Sequence, residues 1–509
     1  MNHTAENGLS SRECLATRLG KDPQTYYTEP FRPQYHITCP EGWLNDPNGL
    51  VYFEGEYHAF YQYFGESKFP ADLKSWAHAV STDLVHWEPL PVALEPDEYG
   101  SIWSGSAVVD HNNSSGLFSD TPEKAGMVAF YTCTDVNDGC RQQQSMAYSK
   151  DKGRTWIKYQ GGKPIITSKD DPLNHHDFRD PKVFWHGESG QWMMIVAGGP
   201  VRFYSSHNLI DWEPQGMQDD LFTECPDFFC LPADGDGTNP KWILSSGGVW
   251  YMTGDFKLDG GVYKFFPDTG DRLPFNRAPD VYAGVTFSDI PGRRIMMHWM
   301  VNISYPFQTG EITDPWNGAL SLPYELTLKT VDGKLQLMQN PVKELSSLRR
   351  AEYAFDNLSV SPDTVNPLAG LRADKAEITA VIRPGDAAEV GLKLRVGNGQ
   401  ETVVRYTSAD RLLTVDRTHA GANPTPEFPG TYSCPVPLED GKLKLHLFLD
   451  WSSVELFTQD GREVFTALIY PDPASTGLAL YAKGGEAVFE SLRVYGQESL
   501  YNDRVFEME

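Results

Sequence analysis

The chain has 509 residues, of which 43 are basic and 69 acidic, so its formal net charge is −26. Such a charge repels nucleic-acid phosphates and anionic membranes, so neither is expected as a partner, whereas the binding of neutral ligands is unaffected. The simplest explanation of the charge is that it keeps the protein soluble. Hydrophobic residues make up 40% of the chain and aromatic residues 12%, which is ample for globular folding, and the length indicates two domains.

Cysteine usage and the N-terminus bear on location and cofactors. The seven cysteines are few for this length and odd in number, which argues for a reducing compartment and against a disulfide scaffold or a zinc site. Residues 1–28 are polar and lack the apolar segment of a signal peptide, and no apolar run approaches the ~18 residues of a membrane span. We therefore expect a cytoplasmic protein, or a secreted one if a leader was removed, with no metal or other cofactor.

Short apolar strands recur after an N-terminal extension that we place at residues 1–29. They are predicted at Tyr57–Tyr61, Met127–Tyr131, Trp192–Val196, Trp242–Leu244 and Arg294–Trp299. Their spacing of roughly fifty to seventy residues is close to the repeat length of propeller blades. A turn followed by a tryptophan recurs after the first three strands, at Trp87, Trp156 and Trp212, and is typical of an outer hairpin. The pattern predicts an all-β, five-bladed propeller over residues 30–340.

The pattern changes beyond residue 340. Residues 341–352 predict a short helical linker, in which Pro341 occupies the first turn. Residues 353–509 contain runs of period-two alternation, such as Glu377–Ile382 and Lys442–Leu447, that predict a β-sandwich. A stabilising role for this domain is favoured over sugar binding.

Three acidic residues occupy distinctive settings. They are Asp46 in Trp43–Gly49, Asp180 in Phe178–Pro181, and Glu224 in Glu224–Asp227. Each lies a short way upstream of one of the repeated apolar strands. Because the first strand of every propeller blade lines the central channel, we expect the three carboxyl groups to converge. Two carboxyl groups on one substrate can catalyse glycoside hydrolysis, one as nucleophile and the other as proton donor.

The three segments resemble the signature motifs of glycoside hydrolase family 32, which comprises invertases, inulinases and levanases. The likeness extends to His58–Tyr63, Ser75–Ser81, Trp103–Ser106 and Trp316–Pro323. All the motifs occur in order, and the resemblance covers nearly the whole chain, from about Pro30 to Tyr495. It implies a β-fructofuranosidase that acts on fructose-containing oligosaccharides.

The resemblance also implies a role for each acid. Asp46 would be the nucleophile that forms a covalent fructosyl-enzyme, Glu224 the general acid and then base, and Asp180 the stabiliser of the transition state. A retaining mechanism places the first two carboxyl groups ~5 Å apart. The acid requires a pKa raised by partial burial and nearby negative charge, which Asp46 and Asp180 would supply. Arg179 would keep Asp180 ionised.

Eight further residues are predicted to bind the sugar. They are Asn45, Gln62, Trp76, Trp103, Ser104, Arg179, Trp299 and Trp316. The amides and the hydroxyl would form hydrogen bonds with sugar hydroxyls, and Trp76 and Trp103 would stack on the furanose. Trp299 and Trp316 would wall the pocket rim. Cys225 is expected to shape the environment of the neighbouring acid and not to act as a nucleophile, since no His or Asn partner motif accompanies it.

The chain departs from the family pattern in several places, which leaves the preferred substrate open. Phe64 and Gly65 replace the usual Asn-Pro, residues 66–74 lack a common Trp-Gly, and Ala77 replaces a glycine. Asn317 and Tyr324 replace two arginines. These changes put the choice among sucrose, inulin and levan in question but not the fructosyl chemistry.

The favoured hypothesis is release of terminal, non-reducing β-D-fructofuranosyl units from sucrose or fructans by double displacement, with exo action. An exo-levanase, an exo-inulinase or a fructosyltransferase would use the same motif residues and the same covalent intermediate. An inactive sugar-binding propeller is the alternative from another class. The intact acid trio argues against it, because a pure binder needs no proton donor.

Overall fold

A computed structural model describes residues 27–70, 73–135, 139, 141–171, 173 and 175–501. Residues 1–26 of the predicted N-terminal extension, together with Cys140, lie outside the described residues. The described chain consists of β-strands with short 3-10 helices at Tyr159–Gly162, Ser168–Asp170, Gln308–Glu311 and Lys343–Leu348. No helix in this part of the chain is long and apolar enough to cross a membrane.

The first three blades are four-stranded antiparallel sheets in which neighbouring strands follow chain order. Blade 1 contains β1 (Gly42–Phe53), β2 (Glu56–Phe64), β3 (Ser75–Ser81) and β4 (Glu88–Leu94). Blade 2 contains β5 (Ser101–Val109), β6 (Met127–Asp135), β7 (Arg141–Ser149) and β8 (Ile157–Lys158). Blade 3 contains β9 (Arg179–His186), β10 (Gln191–Ala197), β11 (Gly199–Ser206) and β12 (Glu213–Thr223).

Blades 4 and 5 complete the ring. Blade 4 contains β13 (Asp227–Ala233), β14 (Asp236–Ser246), β15 (Trp250–Asp259), β16 (Val262–Pro267) and the short β17 (Leu273–Pro274). Blade 5 contains β18 (Tyr282–Thr286), β19 (Ile295–Met300), β22 (Tyr324–Val331) and β23 (Lys334–Pro341), with β20 (Trp316–Asn317) and β21 (Ala319–Leu320) between them in sequence. Strand β20 pairs in parallel with β1, which joins the last blade to the first.

The five apolar segments of the sequence are the second strands of the five blades, β2, β6, β10, β14 and β19. Residues 193–197 of β10 are fully buried, because each blade is covered on both faces by its neighbours. Neighbouring first strands contact each other around a closed ring, β1 with β5, β5 with β9, β9 with β13, β13 with β18 and β18 with β1, so they surround the central axis. Asp46 and Asp180 lie on such first strands, as the repeat spacing predicts.

The turn-and-tryptophan repeat lies at the outer hairpin of blades 1 to 3. The indole N–H groups of Trp87, Trp156 and Trp212 donate to the carbonyls of Leu84, Gly153 and Leu209. Each indole also packs on a ring of the preceding blade around the circle: Trp87 on Phe287, Trp156 on Phe60 and Trp212 on Phe130. One short motif therefore closes a hairpin and packs its blade against the preceding one.

The C-terminal domain is a sandwich of two antiparallel sheets, which confirms the predicted fold class. The six-stranded sheet, in the order given, contains β24 (Arg349–Val360), β34 (Ala487–Gln497), β25 (Ala376–Arg383), β30 (Leu443–Leu449), β31 (Ser453–Thr458) and β32 (Glu463–Leu468). The five-stranded sheet contains β29 (Thr431–Pro435), β28 (Leu412–His419), β27 (Gln400–Thr407), β26 (Glu389–Gly397) and β33 (Gly477–Lys483). Strand β24 begins inside the segment predicted as a linker, directly after the 3-10 helix Lys343–Leu348.

Buried polar groups join the two domains. His36 lies between two acids of the sandwich, with Nδ1 2.7 Å from Asp450 Oδ2 and Nε2 2.8 Å from Glu455 Oε1. The Tyr324 hydroxyl donates to the other oxygen of Glu455. Tyr324, one of the departures from the family pattern, is therefore an interdomain contact and does not reach the leaving-group side of the propeller.

Candidate active site

Asp46 lies in an irregular part of β1. The pairing of β1 with β2 shifts register between Leu44 and Pro47 and again between Asn48 and Val51, and such bulges re-aim side chains locally. The Oδ2 atom of Asp46 accepts a hydrogen bond from Ser104 Oγ at 2.7 Å and from the Cys225 thiol at 3.4 Å. Blades 1 and 2 and the turn after blade 3 therefore meet at this carboxyl group.

A chain of side-chain hydrogen bonds ends on Asp46. Trp43 Nε1 donates to Asn45 Oδ1 at 2.7 Å, and Asn45 Nδ2 donates to Gln62 Oε1 at 2.5 Å. Gln62 Nε2 then donates to Ser104 Oγ at 3.0 Å, which leaves the serine hydroxyl to donate to the acid. Because every member has a defined donor and acceptor, the chain fixes the orientation of the carboxyl group.

Asp180 is 5% exposed and adopts a positive φ of 61°. Its backbone N–H donates to Thr132 Oγ1, and its Oδ2 accepts the backbone N–H of Cys225, both at 2.8 Å. Burial raises the pKa of Asp180 to about 6; Arg179 and the Cys225 N–H act in the opposite direction, and the charges of the other two acids add to the rise. Burial therefore outweighs the guanidinium in setting this pKa, but a carboxyl group with a pKa of about 6 is still mostly ionised at neutral pH, so the expectation that Arg179 keeps Asp180 ionised stays a prediction.

Glu224 lies in the turn between β12 and β13, and its side chain is 40% exposed. Both carboxyl oxygens have partners: Arg179 Nη2 is 2.8 Å from Oε2, and the Tyr282 hydroxyl donates to Oε1. Tyr282 begins β18 in blade 5 and is absent from the predicted sugar-binding residues. Tyr282 precedes the fifth apolar strand, just as each acid precedes the apolar strand of its own region. This position is the sequence feature that could have identified it.

Cys225 connects the three acids. Its backbone, at a positive φ of 40°, donates to Asp180, while its thiol donates to Asp46 and its own chain neighbour is Glu224. Burial and the three carboxyl groups raise the pKa of the Cys225 thiol well above its usual range. The thiol therefore stays protonated and acts as a hydrogen-bond donor, not a nucleophile.

A buried ion pair joins two residues that lie close in sequence to the acids. Lys182 Nζ is 2.9 Å from Asp227 Oδ1 and donates to the carbonyl of Thr286 at 2.7 Å. The backbone N–H of Thr286 donates in turn to Asp227 Oδ2 at 2.6 Å. These bonds join the first strands of blades 3, 4 and 5, so they connect the strand that contains Asp180 with the strand that follows Glu224.

Seven of the eight predicted sugar-binding residues fall into two groups; the eighth, Trp103, is partly buried, and its stacking on the furanose stays a prediction. Asn45, Gln62, Ser104 and Arg179 come together around the acids through the contacts above. Trp76 does not, because its side chain is fully buried and its Nε1 donates to the Trp103 carbonyl at 2.9 Å. The prediction that Trp76 stacks on the furanose is therefore wrong; it is a core residue between blades 1 and 2.

Trp299 and Trp316 are also largely buried, at 5% and 4% exposure, and belong to the hydrophobic core of the propeller. They do not form the exposed rim that the sequence suggested. Phe307, which is 47% exposed, packs on Trp43 with ring centroids 5.6 Å apart and is thus an exposed ring beside the start of the hydrogen-bond chain that ends on Asp46. It lies in a loop outside the recognised motifs, so no sequence signal identified it.

Asn317, a departure from the family pattern, has a structural role. Its Nδ2 donates to the Lys68 carbonyl at 3.2 Å, and its Oδ1 accepts from Thr309 Oγ1 at 2.7 Å. The loop after β2, which also departs from the pattern, is thereby bound to the loop before β20. Two of the unusual segments are therefore held together by the hydrogen bonds of Asn317.

Comparison with known proteins agrees with this geometry. The Glycosyl hydrolases family 32 N-terminal domain model matches residues 36–341, and the C-terminal model of the same family matches residues 344–496. A levanase of Bacillus subtilis (strain 168) is 42% identical over 95% of this chain and 72% of its own length. A fructan beta-fructosidase of Streptococcus mutans is 37% identical over 95% of this chain, which spans only 34% of that protein.

A solved structure shares the whole architecture. Exo-inulinase from Aspergillus awamori superposes with a TM-score of 0.82 at 31% identity, covering 93% of this chain and 99% of that one. Both family models, the relatives and the arrangement of the three acids point to one conclusion: this chain belongs to glycoside hydrolase family 32.

Proposed function

We propose that this protein is a retaining, exo-acting β-fructofuranosidase that removes terminal fructosyl units from fructans and from sucrose. The observation that carries the proposal is the convergence of Asp46, Asp180 and Glu224 around Cys225 in the propeller. The names of the similar proteins, levanase, fructan beta-fructosidase and exo-inulinase, support a fructan as the substrate class.

In the first step, Asp46 attacks the anomeric C2 of the terminal fructosyl unit while Glu224 protonates the glycosidic oxygen. The bond between C2 and that oxygen breaks, an ester bond between C2 and Asp46 forms, and the shortened chain leaves with the proton. Ser104, at the end of the hydrogen-bond chain, holds the attacking carboxyl group in place. The partial exposure of Glu224 lets the leaving sugar reach it.

In the second step, Glu224 removes a proton from a water molecule that attacks C2. The ester bond breaks, Asp46 regains its carboxylate, and fructose leaves with its original anomeric configuration after two inversions. Asp180 and Arg179 supply an acceptor and a donor for the fructose hydroxyls, whose hydrogen bonds strengthen as positive charge develops on the ring.

The test is chromatography of products from the wild type and from Asp46→Asn incubated with sucrose, 1-kestose, inulin and levan. Free fructose from the wild type alone is expected, with no accumulation of longer oligosaccharides. The ranking of the four sugars by rate of fructose release then shows whether the enzyme prefers sucrose, inulin or levan. Longer oligosaccharides at high sucrose concentration would identify a transferase instead, and an absence of products from all four sugars would reject the proposal.

A further inference from the structure

The exposed face of the five-stranded sandwich sheet contains an open cleft with a volume of about 320 Å³. Strands β26, β27, β28 and β33 contribute its lining, so it belongs to the C-terminal domain alone. None of its residues takes part in the catalytic arrangement of the propeller. The cleft is therefore separate from the site described above.

The charges in this cleft are balanced. Its acidic and basic side chains form three ion pairs at 2.8 Å: Lys393 with Glu401, Arg405 with Asp416, and Lys483 with Glu389. Three acids and three bases give no net formal charge, in a chain whose total is −26. An ion of either sign gains little here, whereas a neutral polyhydroxylated ligand finds both donors and acceptors.

An aromatic ring lies among these pairs. Tyr481 is opposite Gly391 in the pairing of β33 with β26, and a Cβ atom at Gly391 would come within 3.0 Å of the tyrosine ring. The missing side chain thus lets the ring lie across the sheet. The ammonium groups of Lys393 and Lys483 are 5.6 and 5.2 Å from the ring centroid. An apolar surface flanked by hydrogen-bond donors is what a sugar ring requires of a binding site.

We propose that this cleft is a second carbohydrate-binding site, which holds an internal segment of the fructan chain while its end is hydrolysed. The identity of the polymer rests on the proposed function; the existence of the site rests on the cleft itself. A chain held on the sandwich raises the effective concentration of its end at the propeller. The advantage applies to polymers only, because sucrose cannot span two sites.

The test uses affinity electrophoresis of Asp46→Ala, which leaves the polymer intact, in gels containing levan, inulin or dextran. Retardation by a fructan is expected, and adding Tyr481→Ala should weaken it by about fivefold or more, as expected for loss of one of two linked sites. Tyr481→Phe, which keeps the ring, should retain the retardation. Equal retardation with and without Tyr481→Ala, or equal retardation by dextran, would overturn the proposal.

Kinetics of the otherwise unmodified enzyme give an independent measurement. Tyr481→Ala should raise KM for levan or inulin and leave both kcat and KM for sucrose unchanged. Tyr495→Ala is the matched control, because Tyr495 is a partly exposed tyrosine on the other sheet, with Arg349 4.1 Å above its ring. If the wild type released no fructose while the fructan still retarded Asp46→Ala through Tyr481, the proposed function would fail and the binding site would stand.

Discussion

At the scale of single residues, the carboxyl groups of Asp46 and Glu224, which we propose as nucleophile and acid, have different surroundings, and the proposed role of Glu224 can be tested. Glu224→Ala should lower turnover of sucrose and fructans by roughly 10²–10⁴-fold, because the leaving oxygen loses its proton donor. A fructoside with a very acidic leaving group should be affected far less in its first step. Rates for both substrate types, measured side by side, check the assignment; equal losses would show that Glu224 is not the acid.

The Tyr282 hydroxyl is the contact of Glu224 that sequence motifs did not identify. Tyr282→Phe keeps the ring and removes the hydrogen bond to Oε1, so we expect a fall in kcat of about tenfold, with protein stability nearly unchanged. The pH profile of kcat should change shape as well, because the bond acts on the group that transfers the proton. A variant with unaltered kcat and pH profile would remove Tyr282 from the catalytic machinery.

The raised pKa of Asp180 makes the free energy of unfolding depend on pH. Because burial raises its pKa to about 6 in the folded protein, against about 3.9 in an unfolded chain, the folded state binds the proton more tightly. The contribution of Asp180 to the free energy of unfolding is fully present below about pH 4, where the group is protonated in both states. It falls as the pH rises through 6, and above that pH the free energy of unfolding is lower by about 3 kcal/mol. Ionised Asp180 therefore opposes folding at neutral pH.

Asp180→Asn keeps an acceptor for the Cys225 N–H and tolerates the positive φ. We expect it to abolish most activity yet to raise Tm relative to the wild type more at pH 7 than at pH 4. Thermal unfolding of both proteins at the two pH values measures this. A Tm difference that is independent of pH would contradict the linkage.

At the scale of structural elements, the first strands of blades 3 to 5 are joined by the buried Lys182–Asp227 pair. Lys182→Met leaves the Asp227 charge unpaired in the interior, and we expect a loss of about 3–5 kcal/mol of unfolding free energy. Adding Asp227→Asn removes the second charge and should recover part of the loss. Denaturant titration gives both values. Lys150→Met, which breaks an exposed pair with Asp120, is the control and should leave the free energy of unfolding nearly unchanged.

Prediction from the sequence was most successful for individual strands and turns. The five apolar segments were identified as blade strands because burial on both faces requires continuous apolar runs, which are legible in sequence. The tryptophan repeat was legible for a similar reason, since a hairpin turn and an adjacent indole are close in the chain. The pairing of β20 with β1 was not predicted, because two short strands far apart in sequence carry no local pattern.

At the scale of the whole molecule, the contact between propeller and sandwich is pH-sensitive through His36. Burial alone would lower its pKa, but hydrogen bonds with Asp450 and Glu455 raise it to about 9, compared with 6.5 when unfolded. The resulting stabilisation is complete below pH 6.5 and is lost as pH rises through 9. The difference between the two pKa values corresponds to about 3 kcal/mol of unfolding free energy.

His36→Gln should therefore destabilise the protein much more at pH 6 than at pH 9.5, because the wild type loses the charge of His36 at the higher pH. Guanidinium titrations of the wild type and the variant at both pH values provide the comparison. A destabilisation of equal size at both values would show that the imidazole contributes packing and hydrogen bonds but no charge.

The sequence alone determined the family, the all-β fold class, the five blades and the three acids. Each of these depends on local patterns: strand periodicity, turn residues, or a short motif around one carboxyl group. The motifs also identified Asn45, Gln62, Ser104 and Arg179, whose side chains the structure brings to the acids.

Only the tertiary structure decided which neighbouring side chains face the site. Trp76 lies in a motif but is directed into the core between two blades, whereas Tyr282 contacts Glu224 from blade 5. The raised pKa of Asp180 likewise depends on burial by several strands. Exposure, burial and distance between carboxyl groups arise from packing between distant segments, and a pattern along the chain does not encode them.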